Sequence, residues 1–78
     1  MRERLARYIS TELLNQSDLV IADDDDLLTS GLLDSLSVMS VVYFIEQEAG
    51  INIPAEDVTI ENFESLSAID AYVRRRRG

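Results

Sequence analysis

The sequence has 78 residues, 46% of them hydrophobic, and it contains no histidine and no cysteine. These absences exclude Ser-His-Asp and Cys-His catalytic pairs, and also zinc sites built from imidazole or thiolate ligands. A chain of this length folds as one domain that is too small to enclose a deep, water-excluded active site. We therefore predict that the protein is not an enzyme.

Charge is distributed unevenly along the chain. Seven arginines oppose fifteen acidic residues, giving a net charge of −8, and every arginine lies in the first seven or the last five residues. The acidic body between them should repel nucleic-acid phosphates and anionic lipid, and attract proteins with basic docking surfaces. No apolar stretch approaches the ~20 residues of a membrane-spanning helix. We expect a soluble, cytoplasmic monomer that binds neither nucleic acid nor membrane.

The first predicted element is an amphipathic helix over about residues 2–15, because Leu5, Ile9 and Leu13 recur every four residues. Residues 16–33 then form a long loop with scattered leucines and an acidic run at residues 23–26. The run does not match a calcium-binding EF-hand, which needs glycine where Leu28 stands. Loops longer than about 12–15 residues are uncommon and often functional, which directs attention to the end of this one.

The second predicted helix begins with Asp34 or Ser35 as its cap and runs to about Ala49, followed by Gly50. At helical spacing, one face is apolar and should enter the core; it comprises Val38, Val41, Val42, Ile45 and Ala49. A second apolar stripe of Leu36, Met39 and Tyr43 lies beside Ser40, offset from the core face. In a small bundle this stripe should remain partly exposed.

The last part of the chain is predicted to hold an extended connection at Pro54, a short helical turn after Thr59, and a final helix. Ser67 and Asp70 have the spacing of a capping box for that helix. The fold class is therefore all-α: a small four-helix bundle with three main helices, one short helix and a long loop between helices one and two. Residues 1–78 should form a single domain, with residues 74–78 as a flexible tail.

The segment Gly31-Leu32-Leu33-Asp34-Ser35-Leu36, at the end of the long loop, resembles the phosphopantetheine attachment site of acyl and peptidyl carrier proteins. The similarity continues through the Asp-rich segment, Leu27-Leu28, Ile53-Pro54, residues 56–58 and the final helix. It implies that a phosphopantetheinyl transferase attaches 4'-phosphopantetheine from coenzyme A to Ser35. It also implies that Asp34 helps to organise the transferase's magnesium, and that the thiol of the arm holds an acyl cargo.

Two alternatives accompany this interpretation. Ser35 could serve only as a helix cap, with Asp34 as loop charge. The exposed-stripe residues could be ordinary core; in carrier proteins, however, partner enzymes touch the corresponding positions, which here are Leu36, Met39, Ser40 and Tyr43. The resemblance thus implies that these four residues are docking residues.

The type of carrier is indicated by departures from the fatty-acid pattern. Gly31 lies four residues before Ser35 instead of three, and Ser37 and Ser40 stand where fatty-acid carriers are acidic. The chain looks more like discrete aminoacyl or peptidyl carriers of specialised, nonribosomal-peptide-type pathways. The partners implied are an adenylating acyl or aminoacyl ligase and downstream condensing, oxidising or thioesterase enzymes. A fatty-acid or polyketide acyl carrier is the alternative, and an unmodified helical adaptor is an alternative of another class.

Overall fold

The computed structural model describes residues 1–77, and within them every regular element is helical. Helix α1 spans Arg2–Tyr8 and continues into a wider π-helical turn, Ile9–Leu13; α2 spans Ser35–Ala49; a 3₁₀ turn spans Ala55–Asp57; α3 spans Ile60–Phe63; and α4 spans Leu66–Arg77. The predicted all-α fold with three longer helices and one short helix is confirmed. No helix in this part of the chain is long and apolar enough to cross a membrane.

The core is one cluster of buried side chains from all four helices and the long loop. Its most deeply buried side chains, each exposed by less than 2%, are Leu5, Ile9, Leu27, Val41, Ile45, Leu66 and Ile69. Phe63 is 2% exposed, and its ring lies 5.8 Å from that of Tyr72. On α2 the buried residues are Val41, Val42 and Ile45, which are three of the five predicted for its core face.

The long loop between α1 and α2 is held by backbone hydrogen bonds and by buried leucines. Leu27 is fully buried and its amide donates to the carbonyl of Glu64 at 2.7 Å, while the amide of Ser67 donates to the carbonyl of Asp23 at 2.9 Å. The carboxylate of Asp26 accepts from two following amides, so it shapes a turn. Among residues 1–77, no group of acidic residues is arranged to hold a metal ion.

The start of α4 differs from the prediction. The hydroxyl of Ser65 accepts a hydrogen bond from the amide of Ala68 at 3.1 Å, so Ser65 caps the helix and the predicted capping box at Ser67 is wrong. Starting the helix earlier places Leu66 in the core, where it is 1% exposed. Asp70, the other half of the predicted box, instead pairs with arginine side chains.

The part of the expected tail that the structure describes is helical, since α4 continues through Arg77. Arg74 pairs with Asp70 one turn earlier at 3.1 Å. Arg75 donates to the side chain of Asn62 at 3.2 Å, and Arg76 to the carbonyl of Asn52 at 2.8 Å. These contacts favour helix over coil for residues 74–76; Gly78, the last residue of the expected tail, lies outside the described residues.

The hydroxyl of Tyr72 joins α4 to the 3₁₀ turn by donating to the Asp57 carboxylate at 2.7 Å. Burial, followed by this hydrogen bond, raises the pKa of Tyr72 to about 12. The folded state therefore favours the neutral phenol. The stability that this preference contributes is present below a pH of about 10, which is the pKa of tyrosine in the unfolded chain. It is lost as the pH rises through the pKa of Tyr72 in the folded chain.

We expect Tyr72→Phe to flatten the alkaline fall in stability, because the variant has no phenol to ionise in the unfolded state. The measurement is urea unfolding at about pH 9 and at about pH 11, on either side of the unfolded pKa. Tyr43→Phe is the control for loss of a tyrosine hydroxyl at the surface, because Tyr43 is 64% exposed. If the unfolding free energy falls equally between the two pH values in wild type and in Tyr72→Phe, the raised pKa of Tyr72 is contradicted.

Candidate functional site

Ser35 is the first residue of α2, and the helix is capped by its neighbour. Asp34 has extended backbone angles and accepts the amide hydrogen of Ser37 on its carboxylate at 2.8 Å. The capping function is thus carried out by Asp34, which resolves the choice between Asp34 and Ser35. The side chain of Ser35 is exposed and takes part in no hydrogen bond within residues 1–77. Its hydroxyl is available for chemistry at the surface.

The charge of Asp34 is stabilised by the same cap. Hydrogen bonds from Ser37, first from its backbone amide and then from its hydroxyl, hold the pKa of Asp34 below its usual value. The carboxylate is therefore ionised at neutral pH directly beside Ser35. A carboxylate is an oxygen ligand of the kind that Mg²⁺ prefers. Asp34 can cap the helix through one oxygen and present negative charge next to the hydroxyl.

The backbone on either side of the site is anchored. Leu33 is 5% exposed and its amide donates to the carbonyl of Leu27 at 2.8 Å, which fixes the chain just before the helix. Gly31 has φ of 82°, a left-handed conformation in which a side chain is strained. After the site, Val41 and Val42 bind α2 to the core. Ser35 is therefore presented by a fixed turn and not by a mobile loop.

The apolar stripe of Leu36, Met39 and Tyr43 faces solvent. Their exposed fractions are 80%, 58% and 64%, whereas Ser40 beside them is half-buried. The alternative in which these residues form core is therefore wrong. Residues 35–45 contain no acidic or basic side chain, so along α2 the stripe itself carries no charge, and the nearest charge in the sequence is that of Asp34.

An aromatic pair that sequence reasoning missed lies along the side of α2 that faces α1. The rings of Tyr8 and Phe44 stack with centroids 4.5 Å apart, and one helical turn further the guanidinium of Arg4 donates to Glu48 at 2.8 Å. Both pairs join the antiparallel helices α1 and α2. The sequence offers no signal for this pairing, because four-residue spacing on each helix does not specify the register between them.

The site fits an attached phosphopantetheine arm. The hydroxyl of Ser35 is exposed, and the first amides of a long helix with its positive dipole end favour a phosphate there. No buried cavity is required, because the arm would leave the surface at the first turn of α2. The apolar stripe begins at the next residue, Leu36, so a protein that takes hold of the arm would meet this surface first.

Comparison with known proteins gives two findings. A family model described as a phosphopantetheine attachment site matches residues 3–73. Among solved structures, a chain from one described as "Crystal structure of FAD-dependent dehydrogenase" is 29% identical and superposes with a TM-score of 0.78; the match covers 87% of this chain and 96% of that one. No curated protein matches the sequence.

Proposed function

The chain belongs to the phosphopantetheine-attachment family, and from this we propose that it is an aminoacyl or peptidyl carrier protein modified at Ser35. The family carries covalently attached 4'-phosphopantetheine. The observation that supports Ser35 most directly is its exposed hydroxyl at the first position of α2, which has no hydrogen-bond partner among residues 1–77 because Asp34 caps the helix. The carrier is the substrate of other enzymes and not a catalyst.

Attachment is a phosphoryl-group transfer. The Ser35 oxygen forms a bond to the phosphorus that bears the pantetheine, the pyrophosphate bond of coenzyme A breaks, the adenosine bisphosphate leaves, and the hydroxyl proton passes to a base. The sequence has no histidine to act as that base, so the transferase supplies it. We propose that the ionised Asp34 helps to hold the transferase's magnesium. Once attached, the arm supplies a thiol that holds the cargo as a thioester.

The test of carrier function is the intact mass of the purified chain after incubation with coenzyme A, magnesium and a broad-specificity phosphopantetheinyl transferase. We expect one phosphopantetheine increment. Absence of the increment, with transferases that modify a control carrier, would favour the unmodified helical adaptor.

The type of cargo is tested separately, by loading the modified chain. Adenylating ligases and a panel of amino and other carboxylic acids are supplied with ATP, and the product mass identifies the acid accepted. We expect aminoacyl loading, because Gly31, Ser37 and Ser40 depart from the fatty-acid carrier pattern. Acceptance of malonyl groups alone would favour the fatty-acid or polyketide carrier.

A flavin enzyme is our candidate for the oxidising partner. The structural neighbour is a chain from a crystal structure described as that of a FAD-dependent dehydrogenase, and the match covers 96% of that chain. A dehydrogenase of this type removes two hydrogens from its substrate and passes them to FAD, which becomes reduced. Mass spectrometry of the loaded chain with such an enzyme should show loss of two hydrogens from the cargo, matched by bleaching of the flavin.

The apolar stripe is the surface we propose for docking of partner enzymes. Met39→Ala or Tyr43→Ala should slow transfer of cargo to a partner by about tenfold, because truncating a well-packed interface side chain costs roughly 1–2 kcal/mol. Stability should change little, since both side chains are more than half exposed. The measurement pairs transfer kinetics with thermal unfolding.

Val42→Ala is the matched control for docking. It removes a side chain that is 5% exposed, on the core side of the same helix. It should lower the unfolding free energy by about 1–3 kcal/mol and leave transfer unchanged at temperatures where the chain is folded. The docking role would be refuted by a large loss of stability in Met39→Ala with normal transfer.

A further inference from the structure

Arginines from the two ends of the sequence meet at one end of the folded bundle. Arg2 and Arg74 both approach the carboxylate of Asp70, at 3.7 Å and 3.1 Å, so the start of α1 lies beside the last turns of α4. Arg4 pairs with Glu48 near the end of α2 at 2.8 Å. The fold thus collects cationic groups from opposite ends of the chain at the end of α2 remote from Ser35.

A cleft of about 450 Å³ opens between these elements. Arg4, Arg74 and Arg77 line it together with Glu48, Asp70 and the apolar residues Ala49 and Val73. Among the side chains that line the cleft, three guanidinium groups against two carboxylates leave an excess of one positive charge, in a chain whose net charge is −8. We call the three arginines Arg4, Arg74 and Arg77 the basic end.

The guanidinium groups of the basic end keep donors for a further ligand. The side chains of Arg4 and Arg74 are 76% and 75% exposed in spite of their ion pairs. Arg77 is exposed and forms no ion pair with residues 1–77. Each guanidinium offers five N–H donors in a fixed planar arrangement suited to carboxylates. The basic end can therefore take carboxylates beyond Glu48 and Asp70.

We propose that the basic end binds an acidic segment of a partner protein. The rest of the chain is acidic, since residues 8–73 carry only negative charge, so an extended anionic surface such as a membrane or nucleic acid would meet repulsion beyond the cleft. A short carboxylate-rich segment that ends in the cleft avoids this repulsion. The charge contrast also orients the partner, because the rest of the carrier repels the same segment.

The position of the basic end leaves the other functional surface free. Glu48 follows Ser35 by thirteen residues of α2, which separates the two ends by about 20 Å at the rise of an α-helix. A protein bound at the basic end would cover neither Ser35 nor the apolar stripe. The basic end would hold the carrier near an assembly while other enzymes act at Ser35, and its binding does not require that Ser35 be modified.

The test uses the full chain and a fluorescein-labelled peptide of alternating glutamate and alanine, followed by fluorescence anisotropy at about 20 mM salt, where charge interactions are weakly screened. The double variant Arg4→Gln, Arg77→Gln should bind about tenfold more weakly. The single variant Arg77→Gln breaks no ion pair of residues 1–77 and should bind about threefold more weakly. The single variant therefore still tests the proposal if the double variant is too unstable to be measured.

Arg7→Gln is the matched control, because it removes one exposed charge from α1 outside the cleft. It should weaken binding less than about twofold.

When the peptide binds, amide shifts in nuclear magnetic resonance spectra should change around residues 70–77 and Glu48 and remain constant at residues 35–43.

Four results would overturn the proposal. The first is absence of peptide binding by the wild type, and the second is equal weakening of peptide binding by Arg7→Gln and Arg77→Gln. The third is tighter binding of the wild type to phosphatidylserine vesicles than to the peptide. The fourth is self-association of the wild type in sedimentation that Arg77→Gln abolishes. The second would indicate general attraction of charge, the third a membrane, and the fourth a second copy of the chain as the occupant.

Discussion

Replacing Ser35 with alanine is expected to abolish attachment of phosphopantetheine completely and to leave the fold intact. The hydroxyl is the proposed nucleophile, so its removal leaves nothing for the transferase to modify. The helix does not depend on it, because Asp34 supplies the cap and the Ser35 side chain is exposed without a hydrogen-bond partner in residues 1–77. Intact mass reports the modification, and helical circular dichroism reports the fold.

Ser37→Ala is the control for this experiment. Ser37 lies in the same first turn of α2, and its backbone amide, which alanine retains, donates to Asp34. The control should therefore be modified like the wild type. Modification of Ser35→Ala at another residue would refute the site, and loss of helicity in Ser35→Ala would show that the hydroxyl has a structural role that the cap geometry does not reveal.

Phe63→Ala is expected to unfold the domain or bring it close to unfolding. Phe63 is 2% exposed and packs against Tyr72, so truncation loses its burial and leaves a cavity. Such substitutions cost about 3–5 kcal/mol. A single hydrophobic core in a domain of this size rarely supplies more than about 3–5 kcal/mol of net stability. Urea unfolding followed by circular dichroism should show little or no folded baseline.

Ile60→Ala provides the comparison within the same four-residue helix. Ile60 is 60% exposed, so its loss should change the unfolding free energy by less than about 0.5 kcal/mol. If Phe63→Ala and Ile60→Ala unfold at similar urea concentrations, the packing of α3 against α4 is not what holds this end of the bundle.

The sequence by itself predicted the features that depend on local spacing and composition. Helical periodicity indicated the longer helices and the core face of α2, because residues three and four apart share one side of a helix. The resemblance carried by the motif from Gly31 to Leu36 indicated Ser35 as the attachment site that we propose. Absence of histidine and cysteine excluded whole classes of catalytic site, because no fold can supply an imidazole or a thiol that the sequence lacks.

The choice among nearby polar residues required the tertiary structure. Asp34 and Ser35 were equally good caps by residue type, as were Ser65 and Ser67, since all are favoured at helix N-termini. The choice follows packing: α2 starts where Leu33 is already anchored, and α4 starts where Leu66 enters the core. A cap forms where the first turn begins, and burial of apolar side chains sets that point.

The tertiary structure also decided which surfaces are exposed and which distant charges meet. The apolar stripe was compatible with core or surface until burial of the other face of α2, through Val41, Val42 and Ile45, left Leu36, Met39 and Tyr43 in solvent. The convergence of arginines at the basic end likewise depends on how α1 and α4 lie together. Periodicity describes one helix at a time, whereas exposure and charge clustering depend on the register between helices, which is set by packing of the whole core.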